Sequence, residues 1–171
     1  MPASRFLQNV SGALVSKVAT VVSAGAANDG DVPALDALGK FDASLMPIGF
    51  GQNTRSVVAS EALAAGDFVN IHDNAGTPNV RKADATTNAR PAHGFVIAAF
   101  ASSATAVVYT SGNIHTTLTG MTSGARQYLA TTAGARTATA PSTASNSVQM
   151  LGYASSATSM IFEPEEPILL A

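Results

Sequence analysis

The chain has 171 residues, of which 46% are hydrophobic, 6% aromatic and 12% charged; that length suits one compact domain plus an arm. The absence of cysteine excludes disulfides, thiolate catalysis and Cys-ligated zinc. A formal net charge of −2, with no basic run beyond the pair Arg81-Lys82, argues against a nucleic-acid partner, whose phosphates require clustered cations, and against an anionic membrane surface.

The surface must be built from Ser, Thr, Asn, Gly and Ala, because the charged share is well below the usual one. Disordered chains combine high charge with few apolar groups, so this composition predicts a folded protein. A weakly charged surface of small residues suits close packing against neighbours.

Residues 1–54 read as an arm and linker. Phe6, Leu7, Val10, Leu14, Val15, Val18 and Val22 recur at spacings of three and four, as on one helical face. Their Val-rich, Ser/Thr-rich context is a poor helix former, so the arm is either extended or holds one short helix. Its apolar run is broken by Ser16, Lys17, Thr20 and Ser23 and is too short to cross a membrane. A single basic residue, Arg5, precedes the run, which argues against a cleaved signal. Asn28-Asp29-Gly30-Asp31 is a turn signal. Leu35, Phe41, Leu45 and Met46 follow, and Pro47, Gly49, Gly51 and Asn53 read as a linker.

Residues 55–171 read as a β domain. Candidate strands are Ser56 to Ala59, Phe68 to His72 and Asn79 to Ala83, with turns at Leu63 to Asp67 and Asp73 to Gly76. Gly94 to Phe100 is apolar and long enough for a buried strand, and Ala106 to Thr110 answers it. Later come Gln127 to Ala130, a Thr/Ala/Gly/Pro loop from Thr131 to Thr143, and the pair Ser147 to Tyr153 with Ser159 to Phe162. The segment Ala101-Ser102-Ser103-Ala104-Thr105 recurs as Ala154-Ser155-Ser156-Ala157-Thr158, each copy between apolar strands. The simplest reading is two hairpins, around 94–110 and 148–162, with the same tip. The fold class expected is mainly β: a compact β-barrel or β-sandwich-like module with an extended N-terminal arm.

Signals for chemistry are weak. His72, His93 and His115 lack helical ligand spacing and any His-Glu-x-x-His motif, so they read as strand-end or loop residues. Asp29-Gly30-Asp31 lacks the remaining ligands of a calcium loop. There is no Gly-x-Ser-x-Gly elbow and no phosphate loop, and a carbohydrate enzyme would be expected to carry more aromatic platforms. The expectation is therefore a non-enzyme with no cofactor and no metal. Glu163-Pro164-Glu165-Glu166-Pro167 cannot be helical throughout and reads as an exposed, extended tail. Ile168, Leu169 and Leu170 either close the core as a last strand or form a strap onto a neighbour. The arm residues Phe6, Leu7, Val10, Leu14, Val15, Val18, Leu35, Phe41, Leu45 and Met46 need apolar partners. They either fold back on the core or lie on another subunit; the linker behind them favours the second.

Several segments carry a resemblance. Ala83-Asp84-Ala85-Thr86-Thr87, then His93-Gly94-Phe95-Val96-Ile97-Ala98-Ala99, then Ala106-Val107-Val108-Tyr109-Thr110-Ser111-Gly112 resemble the lambda-type phage head decoration proteins. In that family an Asp- and Thr-rich turn precedes a Gly-led apolar strand, followed by a Thr-rich tip, an apolar strand with an aromatic, and Ser-Gly. Val32-Pro33-Ala34-Leu35-Asp36, Gly39-Lys40-Phe41-Asp42 and Leu45-Met46-Pro47 look like a segment common near the start of phage capsid-decoration and fibre-like proteins, and the turn Ala62 to Val69 is similar to one in the same group. The resemblance covers about half the chain, through short motifs of common residues. It implies a compact β domain, often a homotrimer, on the outer head surface of a virion assembled in the host cytoplasm. There its N-terminal arm would run over the lattice and cement neighbouring subunits of the major capsid protein. This chain departs from the lambda type in its longer arm and in an extra C-terminal β unit from about Tyr128. A tail, baseplate or fibre protein that contacts the host is the alternative.

Overall fold

The computed structural model describes residues 5–46 and 52–171. The chain divides into two compact units, Met1–Gly51 and Gln52–Ala171. The linker residues Pro47, Gly49 and Gly51 lie outside the described residues.

In the first unit, β1 (Arg5–Val10) and β2 (Ala13–Val18) form an antiparallel ribbon whose register runs from Arg5↔Val18 to Val10↔Ala13. Ser11 and Gly12 join them at φ 51° and 90°, the double positive φ that matches a two-residue turn to strand twist. The Asn9 side chain accepts the Gly12 N–H at 2.9 Å. The helical option for this segment is thereby corrected. β-branched residues favour the pleated surface, and the Ser-Gly turn lets the chain fold back before a helix can gain length. After the ribbon, Thr20 bridges Pro33, with hydrogen bonds from Thr20 N to Val32 O (2.9 Å) and from Ala34 N to Thr20 O (2.8 Å). Short 3-10 turns occupy Gly25–Asn28 and Ala43–Leu45.

In the second unit, β3 (Thr54–Ala59), β4 (Phe68–Asn74), β5 (Thr77–Lys82), β6 (Gly94–Phe95) and β7 (Thr105–Tyr109) close a barrel in the order β3-β5-β4-β6-β7. Ala75 and Gly76, at φ 52° and 84°, turn β4 into β5. Alternate residues point inward, so Val57, Ala59, Leu63, Val69, Val80, Val96, Ala106 and Val108 form one core. Gly94 is required where β6 meets β7: a Cβ there would lie 2.5 Å from Val108 Cγ1 and 2.6 Å from the Tyr109 carbonyl.

Further along are β8 (Ile114–His115), β9 (Arg126–Leu129), β10 (Arg136–Thr137), β11 (Ser147–Val148), β12 (Met150–Ala154), β13 (Met160–Phe162) and β14 (Ile168–Leu169). A five-stranded sheet runs β10-β9-β12-β13-β8, and β11 pairs with β14. A second core joins this sheet to the barrel through Phe68, Phe95, Leu129, Leu151, Met160 and Phe162. The protein is thus mainly β, with a closed five-stranded barrel, as expected from sequence.

Three finer expectations change. The apolar run from Gly94 leaves the sheet after Phe95, and Ile97, Ala98 and Ala99 are exposed; hydrophobicity alone did not reveal where pairing stops. The C-terminal β unit, expected from about Tyr128, also takes in β8 at Ile114–His115, and it shares a core with the barrel. The two Ala-Ser-Ser-Ala-Thr copies adopt different tips. In the first, Ser103 takes φ 69° and Ala104 N bonds to Ala101 O at 3.1 Å. In the second, the hydroxyls of Ser155 and Ser156 close on Ser159 at 2.8 and 2.7 Å. Identical residues differ because β12 and β13 pair up to Ala154↔Met160, whereas β6 and β7 pair only at Phe95↔Tyr109.

Candidate functional site

The ribbon of the first unit presents two unlike faces. Directly opposed residues of an antiparallel pair share a face. One face carries Phe6, Gln8, Val10, Val15 and Lys17. The loop that follows covers part of it: the Lys17 ammonium pairs with the Asp31 carboxylate, and Gln8 Nε2 reaches the Gly30 carbonyl at 3.5 Å. Asp31 is further held by the Thr20 hydroxyl at 2.6 Å and Asn28 Nδ2 at 2.9 Å. These donors, Lys17 foremost, lower its carboxyl to about 2. Asp31 is therefore an internal fastener of the turn.

The other face carries Leu7, Leu14 and Val18 beside Arg5, Asn9 and Ser16. Leu7 and Leu14 are 69% and 71% exposed. Among the arm residues singled out from sequence, Leu7, Val10, Leu14, Val15, Val18, Leu35, Phe41 and Met46 are exposed, while Phe6 and Leu45 are half-buried. At the C-terminus, Ile168 and Leu169 are exposed and Leu170 half-buried. Their backbone is nonetheless tied down: Ile168 and Leu169 pair with Val148 and Ser147, and Leu170 N bonds to Asn146 O at 2.8 Å. The segment is a last strand on the domain's own surface, yet it does not close the core, because its large side chains face outward.

A second surface is not legible in the residue order. On the outer face of the five-stranded sheet, Ile114, Ile161, Tyr153 and Arg126 lie directly opposite one another across β8, β13, β12 and β9. All four are exposed, whereas the inward neighbours His115, Met160, Phe162, Ala154 and Gln127 are buried. The phenols of Tyr128 and then Tyr153 hold the Arg126 guanidinium in its charged form and raise its pKa. Met160-Ile161-Phe162 reads as uniformly apolar, which hid the row; only strand alternation shows that its middle residue points out.

The histidines stand apart from one another in their contacts. His72 Nε2 lies 3.0 Å from the Ser60 hydroxyl. His93 Nδ1 accepts the Ile71 N–H at 3.0 Å, and burial above all lowers its pKa. His115 is fully buried, stacked on Phe95 with centroids 4.2 Å apart, and its Nε2 faces the Gly66 carbonyl at 3.1 Å. Desolvation lowers its pKa to about 4, so it is a neutral core residue that donates from Nε2. Among the described residues no three His, Asp or Glu side chains cluster in metal-binding geometry, and no helix is long and apolar enough to cross a membrane. Asp67 pairs with Lys82 and Asp84 with Arg90, each at 3.5 Å, so both carboxylates are engaged in ion pairs.

No family model matches the chain, and neither a curated protein nor a solved structure matches it.

Proposed function

We propose that this is a non-enzymatic structural protein of a tailed-phage virion that binds the outer capsid surface and cements neighbouring major capsid subunits. The supporting observation is the uncovered apolar face of the ribbon, with Leu7 and Leu14 at its centre. An isolated two-stranded ribbon is marginal in water, and contiguous exposed apolar side chains mark protein-binding surfaces. Burying them against a lattice contributes about 25 cal/mol per Å² of apolar area. A protein seated across a subunit junction adds contacts that must break before the lattice opens, and repetition over the shell multiplies the effect through avidity. The resemblance of the 83–112 segment to lambda-type decoration proteins points the same way.

Virions lacking the protein should release DNA at lower temperature than wild type, and equal heat resistance would overturn the cementing role. The Leu7→Asp/Leu14→Asp double variant should fold yet fail to restore that resistance when added back.

One observation favours a tail or fibre protein instead. An open groove of about 490 Å³ in the second unit is lined by the hydroxyl-bearing residues Thr131, Thr132, Thr137, Thr139, Ser142 and Thr143, a composition suited to a polar receptor. Copy number separates the readings: hundreds per virion support the head, and a few dozen or fewer support the tail.

A further inference from the structure

The cross-strand row Ile114–Ile161–Tyr153–Arg126 is an unpartnered sheet face whose chemistry is graded, apolar at one end and cationic at the other. Tyr and Arg are the residue types enriched at interface hot spots. Among the described residues Arg126 has no ion-pair partner, and neither do Glu163, Glu165 and Glu166. The C-terminal strap has the matching gradient: exposed Glu165 and Glu166 are followed by exposed Ile168 and Leu169.

The dimensions agree as well. Four strands spaced about 4.8 Å apart put Arg126 roughly 14 Å from Ile114, and the four steps from Glu165 to Leu169 cover about 13 Å when extended. Within one copy the strap is fastened elsewhere, with Glu165 N on the Met150 carbonyl at 2.9 Å and Ile168 opposite Val148. Row and strap are both exposed, so neither covers the other in the same chain. The strap is ordered before binding, which lowers the entropic cost of docking.

We propose that the outer face of the five-stranded sheet is a self-association surface that receives the Glu165–Leu169 strap of a second copy, carboxylates on Arg126 and Tyr153 and aliphatic side chains on Ile161 and Ile114. The contact joins two different patches, so it is heterologous and propagates from copy to copy until a ring closes. It stands independently of the capsid reading, since a tail or fibre protein could associate in the same way.

The test is sedimentation and light scattering of the full chain over a concentration series. Wild type should associate, less so at high salt, because the charged end is solvent-exposed. Arg126→Glu should weaken association at least roughly tenfold, equivalent to about 1.4 kcal/mol, and Glu165→Arg/Glu166→Arg should do likewise. Combining the three reversals should restore it. Leu7→Asp/Leu14→Asp should leave it intact, which separates this face from the ribbon. A wild type that is monomeric throughout, an Arg126→Glu variant that associates like wild type, a combined reversal that folds but stays monomeric, or loss of association in the ribbon variant would each overturn the proposal.

Discussion

The side-chain amide of Gln149 pairs with both backbone groups of Ala92: its Oε1 accepts the Ala92 N–H at 2.7 Å, and its Nε2 donates to the Ala92 carbonyl at 3.1 Å. The same Nε2 donates to the Glu165 carbonyl at 3.0 Å. One buried glutamine therefore ties the β11–β12 junction to the segment before β6 and to the C-terminal strap. Gln149→Leu leaves these backbone groups without partners, and unsatisfied buried groups cost about 1–3 kcal/mol each. A loss of roughly 3 kcal/mol or more in denaturant unfolding is expected. Gln149→Glu should also destabilise, because a carboxylate accepts but does not donate to the two carbonyls.

Acid should weaken the second unit through His115. Its folded pKa of about 4 lies below the ordinary 6.5, so the unfolded chain binds more protons between those values. Stability therefore falls as pH drops through 6.5 and levels off near 4. The difference amounts to about 3 kcal/mol at about 1.4 kcal/mol per pH unit. Urea titrations across that window measure it. His93, whose pKa burial also lowers, adds a slope of the same sign. His115→Phe should remove most of the dependence whatever it does to stability at neutral pH.

The first unit should respond in a lower window. Asp31 titrates near 2 when folded, against an ordinary 3.8, so its stabilising contacts persist above about pH 4 and are lost as pH falls toward 2. The protection of the Thr20 and Ala34 amides, whose N–H groups close the adjoining bridge, should fall there relative to their intrinsic exchange rate at each pH. Unchanged protection at those amides would contradict the fastening role of Asp31.

Gly152 sits in β12 at φ 132°, and a Cβ there would lie 2.0 Å from the Ile161 carbonyl. The register shifts at this point, between Met150 and Gly152, as at a β-bulge. Gly152→Ala meets both a forbidden backbone region and a backbone clash. A loss of roughly 3 kcal/mol or more is expected in thermal or denaturant melts, together with broken pairing between β12 and β13. Ala at Gly120, where nothing lies within 4 Å, should cost less.

Much of the local structure was readable from residue order. Phe68 to His72 forms a strand, the turn signalled by Asp73 to Gly76 falls at Ala75 and Gly76, and Met160–Phe162 is the second strand of a hairpin. Strand and turn tendencies act over a few residues, so β-branched runs and glycines at positive φ announce them. The lack of cysteine likewise excludes disulfide and thiolate chemistry, and the lack of a basic cluster argues against binding to phosphates.

Pairing was not readable in this way. Residue order does not say that Phe95 meets Tyr109 but that Ile97 leaves the sheet, or that Phe68 and Phe162, far apart in the chain, share one core. It also does not say that Ile161 faces outward between two buried neighbours, or that Ile168 and Leu169 form a strand without entering the core. Which face of a strand is buried depends on the segment packed against it, and that segment lies dozens of residues away. Apolar composition thus identified the arm and the strap as residues in need of partners. Long-range packing decided which of their side chains the protein covers itself and which stay exposed.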